Sequence, residues 1–129
     1  MSNRVNYASG SPWEDQVGYS RAVKVGNVIE VSGTVASDEA GAVVGEGDAY
    51  LQTKYIYQKI EAVLLRAGAT LHQVVRVRMF VTDIKRWQEY GKAHSEVFEL
   101  IKPCNTMVQV AALIEKAYLI EIEATAVLE

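Results

Sequence analysis

The stretch that decides the fold is Lys102-Pro103-Cys104-Asn105-Thr106-Met107-Val108-Gln109-Val110, followed by Leu119-Ile120-Glu121-Ile122-Glu123-Ala124. The residue before a proline resists helical geometry, so Pro103 ends a helix and opens an extended segment. From Ile120 onward in the second segment, apolar residues at even positions alternate with polar residues at odd positions, which is typical of a strand with one buried face. The sequence therefore predicts two final strands, over 106–113 and 118–128, with the carboxylates of Glu121 and Glu123 on one face.

Two amphipathic helices precede these strands. Asp48 is a suitable N-cap for the first, and Gly68 is a suitable stop just beyond its end. Asp83 is a suitable N-cap for the second, which Pro103 terminates. The apolar positions recur at helical spacing. They are Ile56, Ile60, Val63, Leu64 and Ala67 in the first helix, and Trp87, Tyr90, His94, Val97, Phe98 and Ile101 in the second.

Three more strands are predicted upstream of the final pair. Residues 19–25 and 28–34 form a hairpin around Gly26-Asn27, a dipeptide that supplies positive φ for a tight turn. Residues 74–82 alternate, with Val75, Val77, Met79 and Val81 expected on the core face. Residues 1–18 are expected to form an irregular arm, and 36–47 a glycine-rich loop.

The resulting order, ββαβαββ, predicts an α+β fold with a mixed sheet and both helices on one face. The opposite face would remain open. It would carry charged and aromatic side chains in a broad patch, and such patches are commonly buried by self-association. We therefore expect a homo-oligomer, with arginines and glutamates pairing across strands or subunits. The expected open-face residues are Arg76, Arg78, Phe80, Glu121 and Glu123.

Composition narrows the possible functions. The 129 residues are half apolar, which fits a single domain over 1–129. The net charge of −3 disfavours nucleic acid as a partner, because that affinity depends on Lys and Arg. The chain has no apolar run long enough to span a membrane and no secretory signal, and Cys104 is its only cysteine, so we expect a cytoplasmic protein. His72 and His94 lie far apart and no HxxxH or CxxC motif occurs, so no metal site is expected.

Several short motifs together resemble the reactive intermediate deaminase (Rid) family, also called the YjgF or L-PSP family. The likeness runs along nearly the whole chain. The matching segments are Gly18-Tyr19-Ser20, Gly26-Asn27-Val28-Ile29 leading into Val31-Ser32-Gly33, Phe80-Val81-Thr82-Asp83, Lys102-Pro103-Cys104 and Glu121-Ile122-Glu123-Ala124. The resemblance implies a chorismate-mutase-like protomer and a homotrimeric barrel with ligand clefts between subunits. It also implies hydrolysis of 2-imino or enamino acids to keto acids and ammonia, without a metal or an organic cofactor.

The resemblance also implies roles for individual residues. The glutamate that orients or activates water matches Glu121, and the tyrosine and serine that shape the pocket match Tyr19 and Ser32. The arginine that grips the substrate carboxylate in the family is replaced by Asn105, beside Cys104. An asparagine has no charge and no planar fork, and losing a charge-assisted contact costs about 1.5–3 kcal/mol. We expect this protein to process 2-imino acids poorly and to accept a neutral or differently shaped imine, enamine or carbonyl compound.

Each candidate also has a structural interpretation, and these alternatives stay open at this point. Glu121 could pair with Arg76 or Arg78 across strands, and Ser32 could bond to backbone at a strand end. Cys104 has no cue that marks it as a reactive thiol, and His94 on an apolar stripe is typical of a half-buried structural histidine.

Three functions are consistent with the sequence. The first is binding and hydrolysis of a small imine, enamine or carbonyl metabolite at intersubunit clefts. The second is a non-enzymatic metabolite sensor or protein-interaction module on the same trimer. The third, an endoribonuclease or translation inhibitor, is least favoured by the acidic composition.

Overall fold

The computed structural model describes residues 3–129. Its elements are β1 (Arg4–Tyr7), α1 (Pro12–Val17), β2 (Ala22–Val25), β3 (Val28–Val35), α2 (Ala49–Arg66), β4 (Val74–Val81), α3 (Trp87–Phe98), β5 (Cys104–Gln109) and β6 (Ile120–Val127). The strands form one six-stranded sheet in the order β1-β2-β3-β6-β4-β5, and α2 and α3 pack on one face of it. Neighbouring strands are antiparallel except for the parallel pair β4 and β5. The predicted α+β class with a mixed sheet is confirmed.

The prediction of an irregular arm over 1–18 is wrong from Arg4 onwards; residues 1 and 2 lie outside the described residues. Strand β1 pairs with β2 at the edge of the sheet. It was not predicted because it has only four residues, which are largely exposed, and so short an alternation of polar and apolar residues is a weak signal. Helix α1 is too short to show a stripe, although Ser11 caps it and Pro12 occupies its first turn.

Helix α2 begins and ends as its signals predict, whereas α3 ends at Phe98, earlier than the predicted stop at Pro103 and before Ile101. The Asp48 side chain accepts a hydrogen bond from the backbone N–H of Leu51 at 2.9 Å, and Gly68 follows α2 with a φ of +88°. Asp83 caps a 3₁₀ turn, Ile84–Arg86, rather than α3 itself. Trp87, the first residue of α3, is 55% exposed, so its predicted place in the buried stripe is wrong.

An irregularity at the start of β4 changes which valine enters the core. The register between β4 and β6 shifts between Val74 and Arg76, so Val74 is buried and Val75 is 46% exposed. Such a bulge inserts one residue, so that the residues before it point to the face opposite to the one that strict alternation predicts. The prediction that Val75 faces the core is therefore wrong.

Three strands are shorter than predicted, because β2 begins at Ala22, β5 ends at Gln109 and β6 begins at Ile120. Strand β5 also begins two residues earlier than predicted, at Cys104, and β3 continues one residue further, to Val35. The alternation in β6 is confirmed. Ile120, Ile122, Ala124 and Ala126 are buried against the helices, whereas Glu121, Glu123 and Thr125 are half-buried on the open face.

The open face carries mixed charge, and one of its expected ion pairs is present. Arg78 Nη1 lies 3.6 Å from Glu123 Oε1, and Arg76 donates to Thr106 Oγ1 at 3.2 Å. None of the helices within residues 3–129 combines the length and the hydropathy that a bilayer span requires.

Candidate functional site

Glu121 lies at the centre of the candidate site, with its carboxylate resting on a glycine. Strand β6 pairs with β3, and the register between them shifts between Val31 and Thr34. Gly33 lies in this irregular segment, and a Cβ built on it would stand 2.0 Å from Glu121 Oε2. Only a residue without a side chain leaves room for the carboxylate at this position. The glycine therefore defines where the carboxylate lies.

The surroundings of Glu121 favour its protonated form. Burial raises the pKa of Glu121 above its ordinary value, and the charge of Glu123 on the same strand raises it further. The guanidinium of Arg21 acts in the opposite direction. A carboxyl group whose pKa is moved toward neutrality is suited to giving and taking protons. In this chain Arg78 pairs with Glu123 and not with Glu121, so the predicted alternative for Glu121, an ion pair with Arg78, is not formed here.

Arg21 joins the site from the segment just before β2. Its Nη1 donates to the carbonyl oxygen of Gly33 at 3.0 Å and to Thr34 Oγ1 at 2.9 Å. Its Nε lies 3.8 Å from Oε2 of Glu14, a buried residue of α1. The guanidinium thus connects the N-terminal helix to the backbone beneath the Glu121 carboxylate.

Tyr19 and Ser32 lie beside this arrangement and line the same surface concavity, together with Asn6, Ser20 and Val23. The Tyr19 ring is 38% exposed, and the Arg21 guanidinium lies 5.6 Å from the centre of that ring. The Ser32 hydroxyl donates to the carbonyl oxygen of Ser20 at 2.6 Å. Because its proton is engaged by backbone, Ser32 can face a ligand only as a hydrogen-bond acceptor.

Asn105 and Cys104 lie elsewhere in the same chain. Both belong to β5, the edge strand beyond β4, and both are exposed. Asn105 is in register with Val77 and therefore projects toward the helix-covered side, whereas Cys104 is in register with Arg76 on the open face. Residues aligned across neighbouring strands point to the same face.

The separation between Asn105 and Glu121 follows from the register. Glu121 is opposite Phe80, which is opposite Val108, so Asn105 is two strands away and three residues along. With about 4.8 Å between strands and about 3.3 Å per residue, the two Cα atoms are about 14 Å apart. Within one chain Tyr19 and Ser32 line one concavity, and Gly33 and Arg21 connect it to Glu121, whereas Asn105 and Cys104 lie outside this group.

The two histidines are not part of this group. His94 Nδ1 is 2.6 Å from the Tyr57 hydroxyl between α2 and α3, and burial lowers the pKa of His94. His72 is exposed in the 3₁₀ turn Leu71–Gln73. Across residues 3–129, no three His, Cys, Asp or Glu side chains are grouped so that they could hold a metal ion.

Sequence reasoning missed Arg21 and Glu14. Arg21 directly follows the recognised Gly18-Tyr19-Ser20 segment, and the Ser11-Pro12 pair is a helix-start signal that would have placed Glu14 in a first turn. Their contact was not predictable from spacing, because it joins a short helix to a strand through side chains.

Comparisons with known proteins identify the family to which this chain belongs. Residues 11–128 match the family model described as Endoribonuclease L-PSP. A RutC family protein of Pyrococcus abyssi is 39% identical over 108 residues, covering 84% of each chain. The 3-aminoacrylate deaminase RutC of Acinetobacter baylyi is 33% identical over 108 residues, covering 84% of this chain and 85% of its own.

A crystal structure from Mycobacterium tuberculosis, described as a member of the YjgF/YER057c/UK114 family, is 45% identical with a TM-score of 0.88. It covers 97% of this chain and 99% of its own. The match of the family model over most of the chain, with these relatives, shows that the chain belongs to the L-PSP (Rid/YjgF) family.

Proposed function

We propose that this protein is a hydrolytic deaminase of small imines or enamines, with Glu121 as the group that transfers protons. The observation that supports this most directly is the Glu121 carboxyl seated on Gly33 with a pKa raised by burial. Tyr19 and Ser32 line a concavity that Arg21 and Gly33 connect to Glu121, and they would contact the bound molecule. The name of the Acinetobacter relative, a 3-aminoacrylate deaminase, supports an enamine as the class of substrate.

The chemistry needs one water and no electron transfer. An enamine first takes a proton from Glu121 on carbon, and an imine takes one on nitrogen, so that both become an iminium ion. Water then adds to the C=N carbon, with Glu121 taking a proton from the water, and the neutral carbinolamine forms. Glu121 gives this proton to nitrogen, the C–N bond breaks with release of ammonia, and the hydroxyl gives its proton to Glu121 as the carbonyl forms. A single carboxyl that alternates between base and acid is sufficient for these steps.

The site is completed between copies of the chain. The protein forms a homotrimer in which the open sheet faces line a shared interior, and β5 of one copy approaches Tyr19, Ser32 and Glu121 of its neighbour. Support comes from the separation of about 14 Å between Asn105 and Glu121 within one chain, and from the charged open face. Asn105 then reaches the pocket from the edge strand of the neighbouring copy, whereas Cys104 projects from the opposite face of that strand.

The substrate is neutral, or binds through groups other than a carboxylate. Where the family resemblance implies an arginine, Asn105 offers one amide group and no charge. Losing a charge-assisted contact of about 1.5–3 kcal/mol corresponds to about ten- to a hundredfold in affinity for a carboxylate. We therefore expect 2-imino acids to be poor substrates.

The test uses imines produced in the cuvette. An amine oxidase supplies neutral imines and an amino-acid oxidase supplies 2-imino acids, while release of ammonia is followed with and without the protein. We expect acceleration of the neutral class that Glu121→Gln abolishes. Glu30→Gln is the matched control, because Glu30 is on the same open face and is hydrogen-bonded to Thr125.

Two results would contradict the proposal. The first is no acceleration of either class, with the compound bound but not consumed, which would indicate a sensor. The second is a Glu121→Gln variant as active as the wild type. Rapid release from 2-imino acids would refute the specificity assigned to Asn105 and leave the deaminase activity standing. Retention of RNA that weakens with added salt would support the endoribonuclease interpretation instead.

A further inference from the structure

Arg21 makes an unusual set of contacts for a side chain at the edge of a site. Its side chain is 12% exposed, and Nη1 already serves two acceptors, the Gly33 carbonyl and Thr34 Oγ1. Its Nε is buried and has no hydrogen-bond partner within the described residues. A buried donor without a partner costs about 1–3 kcal/mol, so stability alone does not explain the arrangement.

Glu14 holds this guanidinium from the opposite side. The Glu14 carboxylate accepts a hydrogen bond from the backbone N–H of Ser9 at 3.0 Å and another from the Ser9 hydroxyl. It is 6% exposed, and its Oε2 lies 3.8 Å from Arg21 Nε. A carboxylate fixed in this way balances the charge of Arg21 and restricts its movement. The separation is too long for a hydrogen bond, so the pairing is electrostatic.

The other end of Arg21 acts on Glu121. Gly33, whose carbonyl Arg21 holds, is the residue on which the Glu121 carboxylate rests. The charges that act on Glu121 are Arg21 and, on its own strand, Glu123. From the strands on either side, β3 presents Val35 and β4 presents Phe80 opposite Glu121, neither of which is charged.

We propose that Arg21 is a positioning residue: it fixes the Gly33–Thr34 backbone beneath the Glu121 carboxylate, while Glu14 keeps Arg21 in place. This inference rests on the proposed role of Glu121 as the proton-transferring group. Arg21 does not contact the reacting atoms. Its effect reaches the reaction through the place and the charge of Glu121, and it connects the N-terminal helix to the site.

The test measures the titration of Glu121 directly, without a substrate. Carboxyl carbons of glutamate are labelled with ¹³C, the Glu121 signal is assigned by its loss in Glu121→Gln, and its midpoint is followed with pH. In Arg21→Gln we expect the midpoint to rise by about one pH unit, since a cation near a carboxylate lowers its pKa by about that much or more. The pH at which turnover falls to half on the acidic side of its pH profile should rise together with this midpoint. Arg76→Gln, which removes an arginine bonded only to Thr106 among the described contacts, should change neither.

Arg21→Lys separates charge from geometry. The lysine keeps a positive charge and loses the planar fork that serves the Gly33 carbonyl and Thr34 Oγ1 together. We expect its Glu121 midpoint to stay closer to that of the wild type than in Arg21→Gln, with turnover at least tenfold lower. If Arg21→Gln does not fold, the test uses two other variants, Arg21→Lys and Thr34→Val. The second removes one of the two acceptors of Arg21 Nη1. Wild-type turnover in both would overturn the inference.

Failure of this inference differs from failure of the proposed function. In one outcome the titration midpoint of Glu121 rises in Arg21→Gln, but the protein releases ammonia from no imine. This result supports the role of Arg21 and rejects the deaminase activity. In the other outcome turnover requires Glu121, but the titration midpoint of Glu121 and the pH profile of turnover are unchanged in Arg21→Gln. This result overturns the role of Arg21 and supports the deaminase activity.

Discussion

Replacing Gly33 with alanine should separate the function of this site from the stability of the fold. The new Cβ would stand 2.0 Å from Glu121 Oε2, 3.0 Å from Cδ and 3.3 Å from Cγ. Ordinary contact begins at 3.4 Å, so the carboxylate oxygen must move by at least about 1.4 Å. The atom that must move is the far end of a flexible side chain, and the backbone at Gly33 does not have a positive φ.

These geometric facts set the expected magnitudes. Driving Glu121 away from its rotamer costs about 0.5–1.5 kcal/mol, and replacing glycine with alanine recovers about 0.4–1 kcal/mol from the unfolded chain. The free energy of unfolding of Gly33→Ala should therefore stay within about 1 kcal/mol of that of the wild type. A misplacement of about 1 Å at a catalytic group costs about a hundredfold in rate, so turnover should fall by that order.

The assay combines urea denaturation with release of ammonia from a neutral imine. Gly91→Ala is the matched control, because a Cβ at Gly91 in α3 meets nothing within 4 Å. It should stabilise the protein by about 0.5–1 kcal/mol and leave turnover unchanged. Wild-type turnover in Gly33→Ala would refute the reasoning. So would a loss of several kcal/mol in stability that persists in Gly33→Ala combined with Glu121→Ala, because the clash would then not involve the carboxylate.

Three further predictions concern other parts of the chain. Burial lowers the pKa of His94 from 6.5, so the unfolded chain binds a proton that the folded protein does not, and stability is lost as pH falls below about 6.5. His94→Asn, whose amide oxygen can still accept from Tyr57, should flatten this decline in urea denaturation between about pH 7 and pH 5; an identical slope would contradict it. Asp48→Ala should lower the free energy of unfolding by about 0.5–2 kcal/mol through loss of the N-cap of α2, and an unchanged urea midpoint would exclude that contribution. Asn105→Arg should raise the rate for 2-imino acids relative to neutral imines by about ten- to a hundredfold, and an unchanged ratio would show that position 105 does not contact a substrate carboxylate.

The parts of the fold that were predictable are those in which burial imposes a period. In β6 every second residue from Ile120 to Ala126 is buried, and α2 carries its core residues at helical spacing between Asp48 and Gly68. Strand β1 has neither signal, because it is exposed at the edge and its identity depends on pairing with β2. Val75 was misassigned because a bulge is a property of two strands together, which one strand's pattern does not reveal.

The candidate site was predictable only in part, for a similar reason. Family motifs indicated Tyr19, Ser32 and Glu121, and these residues lie in one region of the protomer. The dependence of Glu121 on Arg21 and Gly33 was not predicted, since it arises from the β3 irregularity and from a side chain in a neighbouring segment. The position of Asn105 relative to Tyr19, Ser32 and Glu121 of a neighbouring copy could not be predicted from the sequence. Within one chain the sheet register separates Asn105 from Glu121.

The central claim is that the site is complete only where copies of this chain meet, and the mass of the protein in solution tests it most directly. Native mass spectrometry or sedimentation at micromolar concentration should give three times the chain mass of 14.3 kDa. Mixing an inactive Glu121→Gln protein with wild type should then give subunit exchange and intermediate activity. A stable particle of 14.3 kDa with full turnover would contradict the account, because Asn105 could not then reach the Glu121 site.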